Sequence, residues 1–337
     1  MNDVAPVTVI VVNWNGGDDL LRCLSCLATQ RLPPARIMVV DNGSTDGSVD
    51  AAARMVADDP RLASLTQFHR LDANVGFAAA NNLAVSRCDS EFVALLNPDA
   101  FPEPGWLEAL VAAARRHPSA AAFGSLQLLD GAEGLVDGSG DVYHVTGLSW
   151  REGHGRPPTA VARQDREIFS ACAAAALYRR DAFLAVGGFD EDFFCYFEDV
   201  DLGFRLRLAG RSARHVPAAV VRHAGGSSAR AATPEFALIH GHRNLVWCFL
   251  KNMPGPLLAG LLIPHLLLTI VTVAFFSTRG QGRPIVKAKG QAVAGLARVW
   301  RKRRAVQAAR RASCRDIWRL LDAGFGRGRT APPGGAT

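Results

Sequence analysis

Among 337 residues and 32 glycines there is no G-x-x-x-x-G-K-[ST] loop, and no G-x-G-x-x-G follows the first strand-like run. Two familiar backbone cradles, for a triphosphate and for a dinucleotide, are therefore excluded. Cysteine is sparse: positions 23, 26, 88, 172, 195, 248 and 314 show no framework spacing. No secretory segment opens the chain, so a reducing, cytosolic setting is expected for the main domain. Cys23-Leu-Ser-Cys26 lacks the surroundings of a redox pair and reads as two helix-packing cysteines. Carboxylates are nearly missing from the C-terminal part. Residues 279 to 337 hold fifteen Lys and Arg against Asp316 and Asp322, a net of +13, which leaves −6 for residues 1 to 278. There is no internal repeat. At 49% hydrophobic the chain is neither disordered nor fibrous, and it reads as one large domain joined to a chemically different appendage.

The appendage begins with a long uncharged run. From Asn252 to Thr278, 27 residues pass without Asp, Glu, Lys or Arg. As a helix that is about 40 Å, against a hydrocarbon core of roughly 30 Å. Pro254, Pro256 and Pro264 interrupt helical geometry and His265 sits mid-run. Lys and Arg beside membrane segments favour the cytoplasmic side. A re-entrant or in-plane element returning to the cytoplasmic face is expected over a true span. Arg279, Arg283, Lys287 and Lys289 suit lipid headgroups, so the basic tail is expected to meet a membrane surface and not nucleic acid.

Strand and helix alternate four times before residue 118. Val7 to Asn13 is a β-branched run suited to a strand buried on both faces, followed by a helix capped by Asp18 or Asp19. Arg36 to Val40 is a second strand, with a helix from near Thr45; a third strand lies near Ser64 to His69, with a helix from about Phe77 to Val85. Phe92 to Leu96 is the fourth, with a helix Gly105 to Arg116. This is the signature of a doubly wound α/β sheet, whose ligands sit beyond the carboxyl ends of the strands. Later, Ala120 to Leu129, Val142 to Leu148 and Ile168 to Tyr178 predict strands. Asp181 starts a helix that ends at Gly187-Gly188, and Val200 to Ala209 predicts another, stopped by Gly210. Residues 285 to 322 read as basic amphipathic helices and 324 to 337 as a frayed tail.

The chemistry gathers at the strand ends. Asn13-Trp14-Asn15-Gly16-Gly17 offers amides and an indole for a pocket wall. Asp41 closes the second strand, where a carboxylate can accept the imide N–H of uracil or thymine; its plainer reading is turn chemistry, with Thr45 or Asp46 capping the next helix. Asn74-Val75-Gly76-Phe77, with Asn81 and Asn82, sets amides at a helix N-terminus, a place that favours phosphate. Asn97-Pro98-Asp99 ends the fourth strand. A cation on a diphosphate takes one or two hard oxygens from protein, and Asp99 can supply one while Asn97 supplies a neutral oxygen or a hydrogen bond. Glu198, Asp199 and Asp201 stand among four aromatics at a helix start. Acidic residues there suit the helix dipole, and a carboxylate walled by rings can also have the raised proton affinity of a general base.

In this order VVNWN, VDNGSTDGS, NVGFAAANN, LLNPD, GGFDEDFFCYFEDVDLGFRLRLAG and VRHAGGSS resemble the family 2 glycosyltransferases, over roughly residues 7 to 250, within the bacterial rhamnosyltransferase-like branch. The resemblance implies a GT-A (nucleotide-diphospho-sugar transferase) fold, α/β with a mostly parallel mixed sheet, plus C-terminal membrane-associated helices. It implies a catalytic domain 1–250 (1–118 binding the nucleotide-sugar, 119–250 the acceptor), a hydrophobic membrane-associated segment 251–278, basic amphipathic helices 279–323 and a flexible tail 324–337. The implied activity is inverting transfer of a sugar, rhamnose by branch resemblance, from a dTDP- or UDP-sugar to a polyprenyl-diphosphate-linked saccharide at the cytoplasmic face of the membrane, for cell-envelope polysaccharide.

Carried over by residue, Asp199, beside Glu198, would be the base. Asn13, Asn15, Asp41, Asn74, Gly76, Asn81 and Asn97 would line the nucleotide-sugar site, with Asp41 on the base. Asp99 and His223 would hold Mg2+ or Mn2+, and Arg205 and Arg243 would contact acceptor or phosphate. Asn97 stands where the family's Asp-x-Asp motif commonly has its first carboxylate. A nucleotidyltransferase and a catalytically silent sugar-binding or scaffold protein are the competing readings. The first would want a basic signature that NWNGGDD lacks, and the second has no need to keep Asp41, Asp99 and Asp199 together.

Overall fold

The computed structural model describes residues 4–131, 134–161, 163–225 and 233–324. Strand β1 (Ala5–Asn13) is buried along almost its whole length because helices cover both its faces. Val7, Val9 and Val11 pack with α1 (Gly17–Ala28), α2 (Ser48–Asp58) and α5 (Trp106–Arg116). Ile10 and Val12 pack on the other side with α4 (Phe77–Ser86), α6 (Arg180–Ala185) and α7 (Glu198–Leu208). Alternation of side chains along a strand produces this two-sided burial.

The main sheet also contains β2 (Pro34–Asp41), β3 (Thr66–Arg70), β4 (Phe92–Leu96), β5 (Ala100–Pro102), β6 (Ala120–Leu129), β7 (Val136–Gly138), β10 (Arg166–Ile168), β11 (Ala175–Arg179) and β12 (Ser212–His223). A separate hairpin pairs β8 (Asp141–Tyr143) with β9 (Ser149–Arg151). Strand order is β10-β12-β6-β11-β4-β1-β2-β3. β1 lies parallel to both β2 and β4, so the order reverses there and opens a crevice above Asn13 and Leu96. β11 enters antiparallel between β4 and β6 and makes one continuous sheet of the two halves.

Several local expectations are corrected. Val142–Leu148 is not a strand: the chain leaves β8 after Tyr143 and turns at Gly147, whose φ of 88° suits glycine alone. Ile168–Tyr178 is broken between β10 and β11, and the gap supplies Cys172, Ala173 and Ala174 to the cleft. An unforeseen helix α3 (Pro60–Leu65), capped by Asp59, precedes β3. Asp18 and Asp19 sit inside the first turn of α1 and do not cap it; Asp46 reaches across to accept the Gly17 N–H at 2.9 Å. α2 starts at Ser48, later than Thr45, with Asp46 also accepting the Ser48 N–H.

The C-terminal helices are α8 (Pro234–Asn252), α9 (Gly255–Thr278), α10 (Gly282–Ala294), α11 (Leu296–Ala308) and α12 (Cys314–Leu320). Trp247, Cys248 and Phe249 of α8 share a core with Tyr143, Phe169 and Phe204. Arg303 of α11 donates to the Leu250 and Met253 carbonyls and so closes the end of α8. The expected proline interruption does not occur. Pro254 and Pro256 fall at the start of α9, where a missing N–H costs nothing, and the helix continues through Pro264 for about 36 Å. Of the expected frayed tail, residues 325–337 lie outside the described residues.

Candidate active site

A cleft of about 710 Å³ opens over the β1/β4 switch point. Its floor includes Val12, Trp14 and Asn97; its walls come from the hairpin β8–β9, the 172–174 segment and the 194–200 segment. Asn42 and Asn74 form the rim nearest β2. Asn42 donates to Asn74 Oδ1 at 2.9 Å and accepts the Val75 N–H at 3.0 Å, so the two amides hold each other in place.

Asn13, Asn15 and Asp41 stand behind this lining. Asn13 is fully buried and donates to the Ser44 and Ser48 hydroxyls, while Asn15 accepts the Thr45 N–H at 2.8 Å. Asp41, in register with Asn13, accepts the Ser44 N–H at 2.9 Å. These three shape the loop under the cleft. Gly76 has a φ of 91°, and a Cβ there would lie 2.6 Å from the Phe194 ring. Its neighbour Ala78 gives its N–H to the Phe194 carbonyl, so that donor at the α4 N-terminus is not turned to a ligand. Asn81 is buried against the Phe77 carbonyl.

Asn97 lines the cleft, and its buried Oδ1 has no hydrogen-bond partner among the described residues. Two residues on, buried Asp99 places Oδ1 3.4 Å from Nε2 of His223, which is brought there by the antiparallel pairing of β5 and β12. His223 Nδ1 lies 2.9 Å from Oδ2 of Asp137, which is also ion-paired with Arg151. Burial lowers the proton affinity of His223, but the bonds to Asp137 and Asp99 outweigh it and raise the imidazole above its ordinary value. Burial likewise opposes ionisation of Asp137, yet Arg151 and His223 hold that carboxyl at about 2. Among the described residues no group of three or more His, Cys, Asp or Glu could enclose a metal ion. Asp99 and His223 are not among the residues that line the cleft, whereas Asn97 is; the pair, with the neutral oxygen of Asn97 two residues before Asp99, is an open candidate set. That set fits a divalent cation completed by phosphate oxygens and water.

Glu198 and Asp199 begin α7 and line the same cleft. The three residues with left-handed backbone just before them, Phe194, Tyr196 and Phe197, have φ of 65°, 66° and 67°. Such conformations cost about 1–3 kcal/mol each unless the surroundings impose them. Asn244 imposes them by donating to the carbonyls of Phe193, Cys195 and Tyr196 at 2.7–3.0 Å. Arg243 also donates to the Phe193 carbonyl, stacks on Trp247, and lines a separate groove with Arg298 and Arg301. Arg205 is buried against Asp201 at 2.8 Å and the Val186 carbonyl, away from the cleft lining.

Asp199 Oδ2 accepts the Ala173 N–H at 3.1 Å. Burial, then the Asp199 charge, push the Glu198 carboxyl well above the usual range. A third carboxyl, Asp141, faces the same space and accepts from the Ser170 hydroxyl at 2.7 Å. Burial and then Asp199 push it up to about 7, against the opposing effects of Ser170 and Arg151. Asp137, Asp141 and Arg151 escaped the sequence reading. The signal for the two aspartates was the polar, turn-forming DGSGD at 137–141, and Arg151 lies outside it.

Residues 8–187 match the family model described as Glycosyl transferase family 2. The chain is 33% identical over 249 residues, 66% of its own length and 76% of the other's, to an N-acetylglucosaminyl-diphospho-decaprenol L-rhamnosyltransferase of Mycobacterium tuberculosis. It is 34% identical to an O-antigen biosynthesis protein of Myxococcus xanthus, covering 68% of this chain and 18% of that one. In fold it is similar to the mannosyltransferase PcManGT of Pyrobaculum calidifontis, solved with GDP-Man and Mn2+, at a TM-score of 0.54 and 20% identity over 95% and 90% of the two chains. It is also similar to GalNAc-T7, solved with UDP, GalNAc and Mn2+, at 0.58 and 14% identity over 74% and 48%. An α/β sheet with its cleft at the switch point, a family match over more than half the chain and these relatives lead to one conclusion: the chain belongs to glycosyl transferase family 2, in its rhamnosyltransferase-like branch, and is a glycosyltransferase of GT-A fold.

Proposed function

We propose that the protein moves a sugar, rhamnose, from a dTDP- or UDP-linked donor to a polyprenyl-diphosphate-linked saccharide with inversion, at the cytoplasmic face of the membrane, in making cell-envelope polysaccharide. The observation that carries this reading is one cleft lined by Asn97, Asp141, Arg151, Glu198 and Asp199. Asn97 stands two residues before Asp99, which pairs with His223 outside the lining. A donor diphosphate suits Arg151 and the Asn97 end, and an acceptor hydroxyl suits Asp199.

Asp199 is the base in this reading. Burial, then the Asp199 charge, raise the proton affinity of its neighbour Glu198 and so disfavour the charged form there. Asp199 is fixed by the Ala173 N–H with its carboxylate at the cleft wall, where it draws the proton from the attacking hydroxyl. Attack from the side opposite the diphosphate gives inversion in a single displacement. Asp99 and His223, with Asn97, would hold Mg2+ or Mn2+, which when bound neutralises charge on the departing nucleoside diphosphate. Trp14, Trp150 and Phe197 add aromatic surface to the lining of the same cleft.

The rhamnose and polyprenyl assignments rest on the relative from M. tuberculosis, which that name describes as acting on a decaprenol-linked substrate. The helix α9 and the basic tail support membrane association. The test is a donor screen with membranes that contain lipid-linked acceptors, reading nucleoside diphosphate release and the anomeric configuration of the product. Release with a dTDP- or UDP-sugar and an inverted product supports the proposal. A retained configuration, or no release with any donor, would falsify it.

A further inference from the structure

Asp137 belongs to neither wall of the cleft, yet three elements converge on it. β9 brings Arg151, which ion-pairs with Asp137 Oδ2. β12 brings His223, whose Nδ1 lies 2.9 Å from that same oxygen. The loop after β9 brings His154, whose Nδ1 is 2.9 Å from the Asp137 carbonyl and 3.4 Å from Oδ1. Asp137 is itself 5% exposed, on the short strand β7 that pairs with β6. Its position is therefore set by the sheet, and the two long side chains are set by it.

The consequence depends on where those side chains point. The other ring nitrogen of His223 faces Asp99 at 3.4 Å. Arg151 lines the cleft, and among the described residues it is the one Lys or Arg that does so. A ligand bearing a diphosphate needs a cation and hydrogen-bond donors on its oxygens, and a guanidinium held in a fixed fork supplies both. We propose that Asp137 is a positioning residue on which one diphosphate-binding unit is built, aligning His223 toward the divalent cation and Arg151 toward a phosphate of the same ligand. One carboxylate oxygen thus couples the two halves. A histidine that binds metal through one nitrogen is commonly oriented by a carboxylate on the other, and losing that partner costs about 10–100-fold in metal affinity.

This inference rests on the cation reading of Asp99 and His223, and the experiment separates the two. Full-length protein is titrated with Mn2+ followed by electron paramagnetic resonance, and separately with UDP and dTDP in EDTA by calorimetry. Asp137→Asn is expected to weaken Mn2+ binding by about 10–100-fold and to weaken diphosphate binding as well. Arg151→Gln is expected to leave Mn2+ binding within twofold and to weaken UDP and dTDP at least tenfold, and Arg151→Lys to restore part of that loss. Asp137→Glu, which keeps the charge, is expected to recover part of both losses, which a purely structural defect would not allow. If wild type binds Mn2+ and diphosphate and Asp137→Asn binds both as well, the hub is wrong while the cation site stands. If wild type binds no Mn2+, both fall.

Discussion

Asp199 accepts a backbone N–H and faces the cleft, whereas its neighbour Glu198 is buried with a raised proton affinity, so the two adjacent carboxyls stand in different surroundings. General-base catalysis contributes about 10² to 10⁴ in rate. Asp199→Asn is expected to lower kcat by that factor while donor binding, read by calorimetry with UDP or dTDP, stays within a few-fold. Near-normal turnover would move the base elsewhere. Asp141 gives a second prediction, through stability. It is surrounded by Asp199, Glu198, Asp137, Arg151, Cys172 and Ser170, and burial raises its carboxyl to about 7. The folded chain then keeps a proton that the unfolded chain releases at the ordinary Asp value near 4, so stability falls as pH rises from about 4 to about 7 and levels off above. The loss is on the order of a few kcal/mol. Asp141→Asn has no proton to lose, so its stability relative to wild type should be greater at pH 8 than at pH 5. Urea midpoints at the two values check this, and parallel curves would show that Asp141 does not titrate in that range.

The helix α7 delivers Glu198 and Asp199, but the 194–197 segment sets their approach, and Asn244 of α8 holds that segment by three carbonyl bonds. Removing a buried partner leaves each carbonyl to bear part of its desolvation cost, about 1–3 kcal/mol per group. Asn244→Ala should therefore destabilise the protein by about 2–4 kcal/mol and depress kcat more than it alters donor binding. A change under 1 kcal/mol in urea unfolding would mean that the backbone holds its own conformation there. The strands β1, β2, β4 and β6 were legible because each is an apolar run bounded by turn residues, and the place of Asp199 in the cleft lining was legible because it opens a helix. What could not be read were features that depend on partners distant in the chain. Ile168–Tyr178 looks uniformly apolar, yet the Cys172–Ala174 stretch leaves the sheet to form the cleft wall. Asn13, Asn15 and Asp41 carry the polar oxygens expected of a ligand site, but their hydrogen bonds go to residues 44–48. Arg243 and Arg205 carry positive charge, but the residues that use it are protein carbonyls and Asp201. Sequence shows the donor and hides the acceptor.

Across the whole molecule, charge and apolar exposure separate toward one end. Ile263, Leu267, Ile270 and Val271 of α9 are each more than half exposed. His265, midway along the helix, is instead buried, stacked on Phe249 at 4.0 Å and bonded to the Thr146 carbonyl at 2.8 Å. A perpendicular span would carry the 144–147 loop, with the polar side chains of His144 and Thr146, to the middle of the bilayer, where polar groups are costly. An in-plane helix, docked by its His265 side and presenting its other face to lipid, avoids that cost. At its start, Gly255 and Pro256 border a groove with Trp300, Arg304 and Arg310, and no carboxylate is ion-paired with either arginine among the described residues. Such a groove suits anionic headgroups, and each Lys or Arg near them contributes about 1 kcal/mol. Arg304→Gln with Arg310→Gln should thus weaken association with vesicles containing anionic phospholipid by about 2 kcal/mol, roughly 30-fold. Association with zwitterionic vesicles should change little, and raised salt should narrow the difference between the two proteins. Co-sedimentation of the full-length protein at two salt concentrations measures this. A loss smaller than threefold on anionic vesicles would place the basic groove away from the bilayer and leave the apolar face of α9 as the whole of the attachment.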